Sequence, residues 1–208
     1  NASIAYGAGR FNVERYIYSA RKWRFLSIPT IQTQTIKQAW QENQNPGING
    51  GPAGFGTMVG SYFANPTTLG FDFATLNGHD MKYWSNDASQ TYIPVAQTSD
   101  AIATATGYMK FIRGDRSVGM GTAIPPTSTR LRTRGQLKTG LQTINFPALA
   151  INKFVAAGNP YASAIDMRNI SRTNLSAMYY VWDPKLTNPV NGGNNGVGAF
   201  QLFTLQTS

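Results

Sequence analysis

Groups able to do chemistry are sparse in this chain, and their spacing limits what they can do together. His79 is the only histidine, in "LNGHDMKYW", with Asp80 next to it. A Ser-His-Asp relay through Asp80 would need three groups meeting in space, and chain adjacency of His and Asp is not that geometry; no G-x-S-x-G elbow accompanies them. His79 is therefore expected to be an ordinary residue of a surface turn. Glycoside hydrolysis needs two carboxylates facing each other. Of the nine Asp and Glu residues, Asp166 in "SAIDM" and Asp183 before Pro184 sit in turn-like contexts, where a carboxylate usually caps backbone amides. Calcium needs several clustered oxygen ligands, and no dense acidic run exists. The chain has no cysteine, which removes disulfides, thiolate metal sites and a cysteine nucleophile. These residues predict no enzyme, no cofactor and no metal centre.

Basic residues are the larger resource: eighteen Lys and Arg against nine acids give a net charge of +9, which attracts polyanions without selecting one. In "RLRTRGQLK" a strand would put Arg130, Arg132 and Arg134 on one face, since side chains alternate with period two. This stripe is the candidate polyanion or partner surface. Arg10, Arg15, Arg21, Lys22 and Arg24 form a second basic group, interleaved with Tyr16, Tyr18 and Trp23, rings on which bases would stack. No helix-turn-helix, zinc-finger or RNA-binding signature accompanies them, so a solvated edge, acidic glycans or another subunit is favoured over nucleic acid. "GYMKFIRGDRS" contains Arg113, Gly114 and Asp115, a tripeptide that adhesion receptors read when a loop displays it. The local reading is a structural turn: glycine supplies a positive φ between strand-like "YMKFI" and "RSV", while Asp115 accepts from the following amides. Four Trp, ten Tyr and eleven Phe are assigned mainly to a core, with a few exposed rings as the alternative platform for sugars.

The elements that must position these groups are mostly strands. "RFNVERYIY" alternates with Phe11, Val13 and Ile17 on one face; "RKWRFLSIP" is apolar on both faces, which predicts a central strand buried on two sides. "TQTIKQAWQEN" spaces Ile36, Ala39 and Trp40 as a short helix behind capping threonines. Residues 43–70 read as a long Gly, Pro and Asn-rich loop pinned by Phe55, Met58 and Val59. Further strands are expected at "MKYWS", "GYMKFIRG", "TRLRTRGQLK", "NKFVAAG", "AMYYVWD" and "GAFQLFTLQ", separated by turn signals such as "NPVNGGNNG". The fold class expected is all-β, a β-sandwich or jelly-roll-like domain with one or two short helices and long Gly, Asn and Pro-rich loops.

Composition agrees: 13% charged residues, 21 Gly and 11 Pro describe a turn-rich protein. The 208 residues are read as a single domain over 1–208, with an internal echo suggesting two related halves, about 11–116 and 145–208, whose Trp84 and Trp182 occupy matching places. No apolar run approaches the roughly 20 residues a membrane helix needs, so no membrane insertion is expected.

The segments "VERYIYSARKWRFLSIPT", "TIKQAWQEN", "GYMKFIRGDRS", "LRTRGQLKTG", "AAGNPYASAID" and "YYVWDP" resemble, in wording and order, a β-rich domain of very large secreted proteins of Bacteroidota. Such proteins often end in a type IX secretion sorting domain. The resemblance spans about residues 11–184. It implies an extracellular or cell-surface location, a non-enzymatic structural or adhesive role beside neighbouring domains or subunits, and a chain that is a portion of a longer protein. It carries over no site residues. The alternatives are a carbohydrate-binding module and a self-assembling extracellular fibre subunit.

Overall fold

The computed structural model describes residues 10–46, 51–118, 124–186 and 198–205; the expected "NPVNGGNNG" turn lies outside them. Eleven strands follow one another: β1 (Phe11–Ile17), β2 (Lys22–Leu26), β3 (Thr30–Ile31), β4 (Gly60–Ser61), β5 (Phe73–Ala74), β6 (Met81–Trp84), β7 (Tyr92–Pro94), β8 (Tyr108–Ile112), β9 (Thr129–Leu137), β10 (Met178–Asp183) and β11 (Ala199–Thr204). The fold is all-β. A three-stranded antiparallel sheet runs β1-β9-β3, a four-stranded one β2-β8-β6-β7, and β10-β11 form a hairpin-like pair. The short β4 and β5 pair in parallel.

Alternation along the strands makes the sandwich. Ile17 and Leu131 from one sheet meet Leu26, Met81, Tyr108 and Ile112 from the other in a single buried cluster. The only α-helix among the described residues, α1 (Ile36–Ala39), closes one side of that cluster with Ile36, Ala39 and Trp40. Its start is the capping box that threonines before an apolar run predict: the Gln38 amide donates to the Thr35 hydroxyl, and the Thr35 amide to the Gln38 side chain. Met58 and Val59 are buried and fix the long loop as expected.

Two expectations are corrected. β2 is not central but an edge strand of its sheet. Its outer face, Trp23 and Phe25, is apolar because the β10-β11 pair covers it: Phe200 stacks edge-on to Phe25 at 6.4 Å, and the Trp182 indole donates to the Trp23 carbonyl at 2.9 Å. "NKFVAAG" is not a strand. It lies against the β6–β7 turn, where the side-chain amides of Asn86 and Gln90 replace a partner strand. Each exchanges two hydrogen bonds with one backbone residue, Asn86 with Ala156 and Gln90 with Phe154. Trp40 alone of the four indoles belongs to the central core; Trp23, Trp84 and Trp182 are half-buried in this outer layer. Among the described residues, 11–116 supply eight strands and 145–205 supply one strand pair, so the two echoing halves are unequal in extent.

Candidate functional site

The "GYMKFIRGDRS" segment gathers most of the interior charge. In β8, Lys110 has the same parity as Tyr108 and Ile112 and therefore points into the core, where it is fully buried. Its ammonium donates to the Met58 carbonyl at 2.9 Å and the Phe111 carbonyl at 2.8 Å, and forms an ion pair with Asp80 Oδ1 at 2.9 Å. Burial pushes Lys110 down to about 8, with Asp80 opposing that shift and Arg113 adding to it. Arg113, just past the strand, lies over the rings of Phe111 and Phe73 and donates to Asp80 Oδ2 at 2.7 Å.

The chain then turns at Gly114, whose φ of +149° and crowded surroundings admit no side chain; a Cβ there would lie 2.8 Å from the Thr127 amide nitrogen. The turn carries Asp115 inward. Its carboxylate accepts from the Gly54 amide at 2.6 Å and the Ser117 amide at 2.9 Å. The flanking arginines do not neutralise Asp115: Arg113 pairs with Asp80 and Arg116 with Asp72. A strand flanks the turn closely on one side only: β8 ends at Ile112, and "RSV" is not a strand, the next one, β9, beginning at Thr129. Arg116 is fully buried and grips Asp72 through both Nη atoms at 2.8 Å; Asp72 also accepts from Gln41 and from the Val59 amide. The tripeptide is thus a structural turn whose aspartate is 5% exposed, buried against this chain and turned away from any receptor.

His79, expected as an ordinary surface-turn residue, is half-buried and meets a serine, with no relay through Asp80. The Ser61 hydroxyl lies 2.9 Å from Nδ1, and the Tyr62 amide also donates to Nδ1 at 3.4 Å, which makes Nδ1 an acceptor and the imidazole neutral. Burial first, and Lys82 second, hold this imidazole below its ordinary value, against Asp80. Ser61 is fully buried and accepts from the Phe63 amide. The neighbouring carboxylate, Asp80, is held by Lys110 and Arg113 and does not orient the ring. The pair joins β4 to the turn before β6 and lacks the exposed nucleophile that acyl transfer needs.

The arginine stripe is real as a face. In the β1-β9 register Asn12, Glu14 and Tyr16 stand opposite Arg134, Arg132 and Arg130. The three arginines are not equivalent. Arg132 is tied to Glu42 by a bidentate pair, with 2.6 Å the shortest distance, and rests on Phe55. Arg130 lies 3.7 Å from Glu14 and is half exposed, and Arg134 is exposed. The outer face of the four-stranded sheet continues the cation and ring pattern, with Lys82 over Trp23 and Tyr92. Beyond it, the strand pair presents Tyr180, Phe200 and Phe203 to solvent, each at least 40% exposed.

Asp166 and Asp183 are caps, as their contexts predict. Asp166 accepts from the Arg168 amide and side chain, which lower its carboxyl to about 2, and Asp183 accepts from the Lys185 amide. A cleft of about 330 Å3 opens between the sheets, floored by Leu26, Ile28, Trp40 and Leu131 and rimmed by Glu14 and Asn159. Among the described residues no three His, Asp or Glu side chains come together as metal ligands, and no helix is long and apolar enough to cross a membrane. No family model, curated protein or solved structure matches this chain.

Proposed function

We propose that this chain is a non-enzymatic structural or adhesive domain of a secreted bacterial cell-surface protein, acting outside the cell beside neighbouring domains or subunits. The observation that carries the reading is where the carboxylates go. All nine are held by groups of this same chain: Asp72, Asp80, Glu14, Glu42 and Asp166 by cationic side chains, and Asp87, Asp100, Asp115 and Asp183 by backbone amides. Hydrolysis by paired acids needs carboxylates facing a substrate, and here each is engaged by groups of this chain, within its own turn as at Asp166 and Asp183 or from across the fold as at Asp72 and Asp80. The resemblance of six ordered segments to secreted Bacteroidota domains supports the location and role. The test is a panel of esters, peptides and glycosides. No turnover above that of the heat-inactivated protein is expected, and turnover lost on His79→Ala or Asp166→Asn overturns the reading.

A second reading, a glycan-binding module, is favoured by the exposed rings of the β10-β11 pair. Sugars bind by laying their apolar faces on such rings, and Tyr179 and Phe203 are already parallel to within 16° at 5.4 Å. Glycan-array binding that disappears in Tyr180→Ala or Phe203→Ala supports it, and a silent array removes it.

A further inference from the structure

Every buried cation of the sandwich described so far has a carboxylate, with one exception. β2 turns Lys22, Arg24 and Leu26 to the same face, and Leu26 is in the core. Arg24 is accordingly 7% exposed. Its Nη1 and Nη2 are both shielded from solvent and neither has a hydrogen-bond partner. Among the described residues no carboxylate lies within ion-pair distance; the group that meets the guanidinium is the Tyr18 ring, 4.8 Å from its carbon. The cross-strand neighbour is Lys110, a second cation, and the carboxylate nearest to that position, Asp80, is divided between Lys110 and Arg113.

Leaving a buried charge without hydrogen bonds is among the costliest arrangements in a protein interior, and stacking on one ring satisfies none of the guanidinium N–H groups. The two orphaned nitrogens form the fork end of the guanidinium. That end matches two oxygens of a planar or tetrahedral oxyanion, a fit that neither a spherical ion nor a lysine ammonium reproduces. Stacking on Tyr18 occupies a face of the guanidinium and leaves the hydrogen-bonding capacity of its edge unused. Tyr18 is 40% exposed, so the ring stacked on the guanidinium itself reaches solvent.

We propose that Arg24 is an anion-binding residue that takes a small oxyanion, a carboxylate or a sulfate-type group, edge-on at Nη1 and Nη2 beside the Tyr18 ring. Thermal unfolding of the 208-residue chain tests it, at constant ionic strength set with chloride while sulfate, acetate or glucuronate replaces part of the chloride. A ligand that binds only the folded state stabilises it saturably. The expected result is a rise in Tm of about 3–6 °C at roughly tenfold excess over the dissociation constant. The rise should vanish in Arg24→Met and persist in the Arg130→Gln/Arg134→Gln variant, which removes the exposed arginines of the β9 stripe. Arg24→Lys keeps the charge without the fork and should lose most of the response. Glucuronate acting at lower concentration than acetate assigns the oxyanion to an acidic sugar; equal potency assigns it to free ions. No saturable rise with any of the three ions overturns the proposal, as does a rise that survives in Arg24→Met. Should the Arg24 variants not fold, Tyr18→Ala, at an exposed position, decides: it removes the ring that stacks on the guanidinium and should change the ion concentration at half-maximal response, and an unchanged response overturns the proposal.

Discussion

Gly114 and His79 show how single residues here serve the fold. At Gly114 a methyl group would meet the Thr127 amide nitrogen at 2.8 Å and the Val118 side chain at 2.8 Å, in a backbone conformation that side chains rarely adopt. Gly114→Ala is therefore expected to destabilise the domain by about 1 kcal/mol or more; unchanged chemical denaturation would contradict the turn assigned to it. His79 is predicted to make stability depend on pH. Its imidazolium is held below the ordinary value of 6.5, chiefly by burial, so the unfolded chain binds that proton more readily than the folded one. The contribution is complete above that value and is lost as pH falls through it, levelling once the folded form also takes the proton. His79→Gln keeps an acceptor for the Tyr62 amide and should flatten this part of the profile between about pH 7 and about pH 5. Parallel wild-type and variant profiles would contradict the assignment. The turn at Gly114 was legible in the sequence because glycine and aspartate have local preferences there. The partners Asp72 and Asp80 were not, since they reach Arg116 and Lys110 across 44 and 30 positions. One signal was available: Lys110 shares the parity of Tyr108 and Ile112, and a lysine on the apolar side of a strand implies a buried counter-charge.

At the scale of elements, β9 separates two uses of arginine within one stripe. Arg132 holds Glu42, whose side chain is 7% exposed, so Arg132→Gln leaves a buried carboxylate short of its partner and should cost about 1–3 kcal/mol. Arg134 is exposed, and Arg134→Gln should stay within about 0.5 kcal/mol of wild type. Equal effects on the denaturation midpoint would contradict this division. Strand periodicity predicted the stripe and most strands, because each β face reports its surroundings through alternation. It misplaced β2 and "NKFVAAG" for related reasons. A strand covered by a separate strand pair reads like a central one, and a segment satisfied by the side-chain amides of Asn86 and Gln90 reads like a strand. Neither cover is local in sequence. The helix was legible because its apolar spacing and the threonines that cap it are local in sequence.

The whole molecule carries a net charge of +9, with its interior acids neutralised and Arg130 and Arg134 left at the surface. It should bind immobilised heparin and elute with salt as screening lengths shorten. Arg130→Gln/Arg134→Gln should elute at lower salt, and identical elution would remove the stripe as a polyanion surface. β1 is an open edge, yet antiparallel pairing with its own copy centred on the strand sets Glu14 against Glu14, a like-charge pair that disfavours assembly. A monomer over a wide concentration range is expected by sedimentation, and a concentration-dependent dimer would contradict it. The central claim is that the ionised interior maintains the sandwich. Residues kept for activity tend to lower stability, and replacing them often raises it; residues kept for structure do the reverse. Chemical denaturation of Asp72→Asn is the most direct test, because that carboxylate joins Arg116, Gln41 and the Val59 amide in a fully buried centre. Leaving Arg116 unpaired should cost about 3–5 kcal/mol; a variant as stable as wild type, or more stable, would contradict the account.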